Sequence, residues 1–202
     1  MPIISEVDDS LVRSQLVSVS KRPPLRGRVL NILIVGIDSR LGVRDARADA
    51  IHLCTVSPDS GIVEILSIPR DTYCDLGFPD TTTFNIVANA RAAGYRGFMK
   101  HVQGIAKRGP VNHYVEVGFS QAMGVLEILG YKNPVSTLRF LRTRKTLPGG
   151  DLQRAHNQAK FMADNIKDKF DMLTGSSGEV LLTAGLQFVT TNLSKEICQG
   201  LI

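Results

Sequence analysis

Between Arg139 and Gln158 the chain reads RFLRTRKTLPGGDLQRAHNQ, which sets four arginines, an aspartate and a glycine pair within twenty residues. A guanidinium carries a planar fork of N–H donors that matches phosphate or carboxylate oxygens, and it stays charged at any physiological pH. TLRFLRTRK reads as a strand, so Arg142 and Arg144, two apart, are expected on one face. Arg154 and Gln158 lie four apart on a helix expected to begin at Asp151, so they share a face one turn apart. The start of a helix presents unpaired backbone N–H groups and the positive end of its dipole. Guanidiniums gathered there repel one another unless an anion lies between them, and a diphosphate is the natural occupant.

A second set of charges borders the apolar runs. Asp38 and Arg40 stand in GIDSR, Arg47 and Asp49 in RADAI, and Arg70 and Asp71 in SIPRDTY. Ligands of α/β sheets bind at strand ends. Hard carboxylate oxygens at such a place suit Mg²⁺ (or Mn²⁺) bridged to phosphate. The competing reading is that Asp38 and Asp49 simply pair with Arg40 and Arg47. Asp151 reads as a helix cap. His52, His101, His113 and His156 have no metal-ligand spacing and read as structural or surface residues.

The elements that must position these groups follow from hydrophobic periodicity. VLNILIVGI is a continuous apolar run, the mark of a strand buried on both faces. AIHLCTVS and GIVEILSIP flank PDSG and read as a hairpin. TFNIVANARAA and YRGFMKHVQGIAKRG have helical spacing, HYVEVGF reads as a strand, and SQAMGVLEILG as a helix with Ser120 as its cap and Gly130 as its stop. A long amphipathic helix follows Asp151, and a last helix is expected over Glu179–Asn192. Strands interleaved with helices predict an α/β fold, a three-layer sandwich with a central mixed β-sheet flanked by helices. Residues 1–28, ending in KRPPLRGR, read as an extension or linker, and 29–202 as one domain.

Composition bounds the partners. The chain has 202 residues, 43% hydrophobic and 21% charged, which is ordinary for a globular protein. Its net charge of +5, with arginine exceeding lysine by 15 to 9, favours anionic partners without naming them. There is no tryptophan and no basic stripe interleaved with aromatics, so no nucleic acid is expected. Three widely spaced cysteines indicate neither a disulfide framework nor a zinc site, and Cys54 reads as core. No apolar run approaches the ~20 residues of a membrane span.

In order along the chain, NILIVGIDSR, RADAI, LSIPRDTY, FNIVANARAAG, HYVEVGF and FLRTRKTLPGGDLQRAHNQAKF resemble the motifs of the LytR-CpsA-Psr family. These are cell-envelope phosphotransferases that move a glycopolymer from a polyprenyl-diphosphate carrier onto peptidoglycan. The resemblance implies that Asp38 and Asp49 coordinate Mg²⁺, and that Arg47, Arg70, Arg142, Arg144, Arg154 and Gln158 hold the diphosphate. It gives Asp71 the role of orienting Arg70 or acting as a base. It further implies an apolar tunnel for the lipid tail, lined from Phe84 to Ala93 and from Phe119 to Leu129. The expected partners are a polyprenyl-diphosphate-linked glycan and a peptidoglycan acceptor, on the outer side of the membrane. Membrane association is expected through the lipid substrate or an upstream anchor. Hydrolysis of such lipids as a pyrophosphatase, and binding of prenyl diphosphate without turnover, are the alternatives.

Overall fold

The computed structural model describes residues 27–37, 47–143 and 148–200. The three apolar runs are strands: β1 (Leu30–Ile37), β2 (Ala48–Ser57) and β3 (Ile62–Ser67). They pair antiparallel in succession, and Gly61 closes the β2–β3 hairpin at φ 61°, a left-handed conformation that favours glycine. β4 (His113–Val117) lies parallel to β1, and the two-residue β5 (Thr190–Thr191) lies antiparallel to β4. The resulting mixed sheet has the order β3-β2-β1-β4-β5. By these directions the ends of β1, β3 and β4 and the start of β2 all reach one edge of the sheet.

The two faces of the sheet are packed differently. On one face Leu33, Val35, Ile51 and Leu53 meet Phe98 and Val102 of α1 (Tyr95–Ala106), with Val87 and Ala90 of a 3-10 turn at Val87–Ala93, in a dry cluster. Removing a side chain such as Leu33 from such a cluster typically costs about 2–5 kcal/mol. The opposite face carries Ile32, Ile34, His52, Cys54 and Ser67. It is covered by α2 (Phe119–Ile128), α4 (Gly150–Asp168) and α6 (Gly178–Gln187). α4 packs on β3, α2 packs on α3 (Pro134–Arg142) and α6, and most of the apolar side chains of these helices stay half-buried. The remaining helices are α5 (Phe170–Thr174) and α7 (Lys195–Gln199).

Five expectations are corrected. The arginine segment TLRFLR is helical rather than a strand. Asn133 Oδ1 accepts from Ser136 N at 3.0 Å, Pro134 sits in the first turn, and Leu138 is the buried contact. Cap and proline together outweigh the local β-propensity. The helix expected over TFNIVANARAA is only the 3-10 turn, since Ile86 bridges to Tyr73 in extended form. α4 begins at Gly150 with Gly149 in the cap position, so Asp151 lies within the first turn and is not the cap. The last expected helix stops at Gln187, where the chain turns to add β5. Likewise Gly118 rather than Ser120 precedes α2, its N–H donating to Gln121 Oε1 at 2.7 Å.

Candidate anion site at the strand ends

The residues of the site converge through an irregularity in the sheet. Gly36 pairs with Ala50, but the next partner of Ile37 is Ala48, so Asp49 is an extra residue in β2. A bulge of this kind breaks the ladder locally and re-aims the side chain that it carries. Asp49 uses both of its freed groups. Its Oδ1 accepts from Arg70 Nη1 at 2.6 Å, and its backbone carbonyl accepts from Arg154 Nη2 at 3.0 Å.

Arg70 leaves the end of β3, and Arg154 comes from the second turn of α4. Arg154 is only 6% exposed, and its Nη2 also lies 2.9 Å from Asp151 Oδ1. Arg70 Nε is enclosed and has no hydrogen-bond acceptor among the described residues, since Asp71 Oδ2 stands 3.7 Å away. Burial works against the charge of Arg70. The Asp49 hydrogen bond and the carboxylates of Asp49, Asp71 and Asp151 outweigh it and hold the guanidinium above its ordinary pKa. Aspartates therefore already neutralise the arginines here, which the sequence reading did not anticipate. An enclosed donor without an acceptor is costly, and an arriving phosphate oxygen would satisfy it.

Arg154 and Gln158 share a face of α4 as expected, and Gln158 ties three elements together. Its Nε2 donates to Leu141 O in the last turn of α3 at 2.9 Å, and its Oε1 stands 3.3 Å from His52 Nε2. Arg142 follows Leu141 and is exposed, its guanidinium 4.9 Å from the Phe119 ring centroid at the start of α2. Such a stack helps to keep a cation in place. Arg142 ends α3, whose last turn Gln158 ties to α4 beside Arg154. Arg47 is exposed just before β2. Asp38, Arg40 and Arg144 fall outside the described residues.

His52 proves to be a structural histidine beside the site, with partners that the sequence did not indicate. It is 2% exposed on the loosely covered face, with Nδ1 at 3.0 Å from Ser67 Oγ, and Ser67 Oγ in turn reaches Ala155 O at 3.0 Å. The signal in the sequence was a histidine inside the apolar run AIHLCTVS. A neutral imidazole and one hydroxyl hold two protons for three contacts, so only the imidazolium would fill all of them. Burial decides against it. Burial, with the nearby Arg154 charge, lowers the His52 pKa from 6.5 to about 4 despite the Gln158 contact.

The linkage sign follows from that depression. Above pH 6.5 both folded and unfolded chains hold His52 neutral and its contribution is complete. As pH falls from 6.5 toward 4 the unfolded chain takes the proton first, and stability declines by up to about 1.4 kcal/mol per pH unit. His52→Gln is expected to flatten the stability profile over that window. Denaturant unfolding of both chains across pH 4–6.5 measures it, and parallel profiles would refute the assignment.

A metal fits this donor set only with help from a ligand. Among the described residues no three His, Cys, Asp or Glu side chains gather to hold an ion. Mg²⁺ is commonly held by one or two carboxylates plus substrate phosphates, however. Asp49, with its side chain 30% exposed at the bulge, suits that role. Among the described residues no helix is long and apolar enough to cross a membrane.

Comparison with known proteins agrees with this architecture. The sequence model of the LytR_cpsA_psr family matches residues 6–130, which takes in the bulge and Arg70 but stops before α3. A Bacillus anthracis protein named polyisoprenyl-teichoic acid--peptidoglycan teichoic acid transferase TagU is 28% identical over 220 residues, covering 96% of this chain and 70% of that protein. The crystal structure of B. subtilis TagV superposes with a TM-score of 0.68 at 22% identity, covering 87% of this chain and 78% of the other. TagT bound to LI-WTA superposes with a TM-score of 0.65 at 24% identity, over 90% and 76% of the two chains.

Proposed function

Because the chain belongs to the LytR_cpsA_psr family, we propose that it is a phosphotransferase that moves a glycopolymer from a polyprenyl-diphosphate carrier onto peptidoglycan. The observation that carries this reading is the bulge at Asp49, which gathers Arg70 and Arg154 at the strand ends. A relative whose name assigns it that transfer, matched over almost the whole chain, supports the same reading. The half-buried apolar side chains of α2, α4 and α6 suit a lipid tail lying between those helices and the sheet.

In this reading Arg70 and Arg154 bind the two phosphates, with Arg47, Arg142 and Arg144 closing around them from neighbouring segments. Gln158 holds α3 and α4 in register through Leu141 O. An acceptor hydroxyl forms a bond to the sugar-linked phosphorus while the bond between the two phosphates breaks, and polyprenyl phosphate leaves. Asp71, its side chain 65% exposed beside Arg70, takes the hydroxyl proton or orients Arg70. Bound Mg²⁺, held by Asp49 and Asp38, would offset the charge of the diphosphate. Catalysis of this kind consists mostly of positioning and fixed charge.

The test is a chromatographic assay of the protein with a polyprenyl-diphosphate-linked glycan, Mg²⁺ and peptidoglycan. A covalent glycan–peptidoglycan adduct is expected. Release of free glycan phosphate with no adduct would replace transfer by hydrolysis, and tight lipid binding without any product would leave a binding protein.

A further inference from the structure

The loop that leaves Arg70 holds aromatic rings in solvent on a fixed frame. Tyr73 is 63% exposed, Phe78 48% and Phe84 49%. Tyr73 bridges Ile86, flanked by Cys74 N→Asn85 O at 3.0 Å and Val87 N→Thr72 O at 2.9 Å. In such a ribbon alternate residues share a side. Cys74 and Asn85 therefore point inward, where both are buried, while Tyr73 and Phe84 project outward together. The Phe78 ring lies 5.6 Å from that of Phe84.

Asn85 fixes the loop from within. Its Oδ1 accepts from Leu76 N at 3.1 Å and Phe78 N at 3.3 Å, and its Nδ2 donates to Phe78 O at 2.8 Å. A loop ordered in advance loses little entropy when it binds. Exposed aromatic surface presented in this way marks an interaction site.

The surrounding charge selects the partner. From Asp71 to Phe84 the chain holds three aspartates and no lysine or arginine, although the whole chain carries +5. Asp71, Asp75 and Asp80 are exposed, and the Tyr73 hydroxyl points to Asp80 Oδ1 at 3.5 Å. Carboxylates around the rings disfavour an anionic membrane or a purely apolar partner. A sugar ring suits both features, since its C–H face lies on aromatic rings and its hydroxyls donate to carboxylates, bonds stronger than neutral ones. The place is also right, because Tyr73 follows Arg70 by three residues and so begins within about 11 Å of it.

We propose that the 71–86 loop is the acceptor-side sugar subsite, where an uncharged pyranose of a glycan strand lies on Tyr73 and Phe84 with its hydroxyls on Asp75 and Asp80. This assignment rests on the transferase reading and places its acceptor on the β3 side of the site. The loop is anchored on the dry-cluster face through Cys74 and Val87, whereas the lipid-facing helices cover the opposite face.

The test titrates the full chain with soluble β-1,4-linked N-acetylglucosamine oligomers, followed by tyrosine fluorescence or amide shifts. Saturable binding is expected, weakened at least tenfold in both Tyr73→Ala and Phe84→Ala with unchanged thermal unfolding. Arg154→Ala is expected to keep the sugar titration while losing binding of prenyl diphosphate, which separates this subsite from the anion site. Sugar affinity within twofold of the parent in both aromatic variants overturns the proposal. So does an absence of saturable binding, including the case in which phosphatidylcholine vesicles bind through the same rings instead. Failure of the parent chain to bind prenyl diphosphate would count against the transferase reading and not against the sugar titration.

Discussion

Replacing Arg154 by alanine is expected to lower kcat/KM for a prenyl-diphosphate-linked substrate by about 10²–10³-fold, the range seen when one fixed donor is removed from a charge-stabilising site. The guanidinium is buried and spans Asp49 O and Asp151, so its donors are aimed before any ligand arrives. A group held this way loses little to reorganisation when charge shifts between phosphate oxygens. The variant also leaves the bulge carbonyl and Asp151 without that partner, which should cost about 1–3 kcal/mol of stability. Arg154→Lys separates the two effects, because an ammonium keeps the charge but cannot reproduce the planar fork. It should recover most of the thermal midpoint and little of the turnover. Turnover of Arg154→Ala equal to the parent would remove this residue from the site.

Asp49→Asn is expected to reduce Mg²⁺-supported turnover by roughly 10²-fold, a comparable electrostatic loss. Asparagine keeps the shape and an oxygen that can accept from Arg70, so the bulge should persist. What disappears is the negative charge, and with it a hard anionic donor and one of the carboxylates that neutralise Arg70. Turnover measured across a Mg²⁺ titration separates these losses. A curve moved to higher Mg²⁺ but reaching the parent maximum assigns Asp49 to ion binding alone. An unchanged curve would exclude it from that role.

What could be read from residues alone followed the range of the interactions. The hairpin of β2 and β3 was legible because PDSG lies between two apolar runs, a local signal. The shared face of Arg154 and Gln158 was legible because helical periodicity fixes it. The bulge at Asp49 was not, since it depends on how Gly36 and Ile37 meet a strand that follows after an intervening segment. Register of this kind is set by packing across the sheet. The arginine segment is a helix because the Asn133-Pro134 start signal outweighs the strand-like spacing of its arginines. The partners of His52 were not legible for a related reason. A histidine in an apolar run carries no hint of a glutamine more than a hundred positions away.

The one-sided placement of the dry cluster bears on how such proteins diverge. Cohesion of the molecule resides behind one face of the sheet, with α1 and the Val87–Ala93 turn. The side chains of α2 and α6 over the other face contribute less to it. Under the proposed function, mutational drift there can reshape the room offered to a hydrocarbon chain while the scaffold survives, so lineages would be free to adopt carriers of new length without first evolving a sturdier fold.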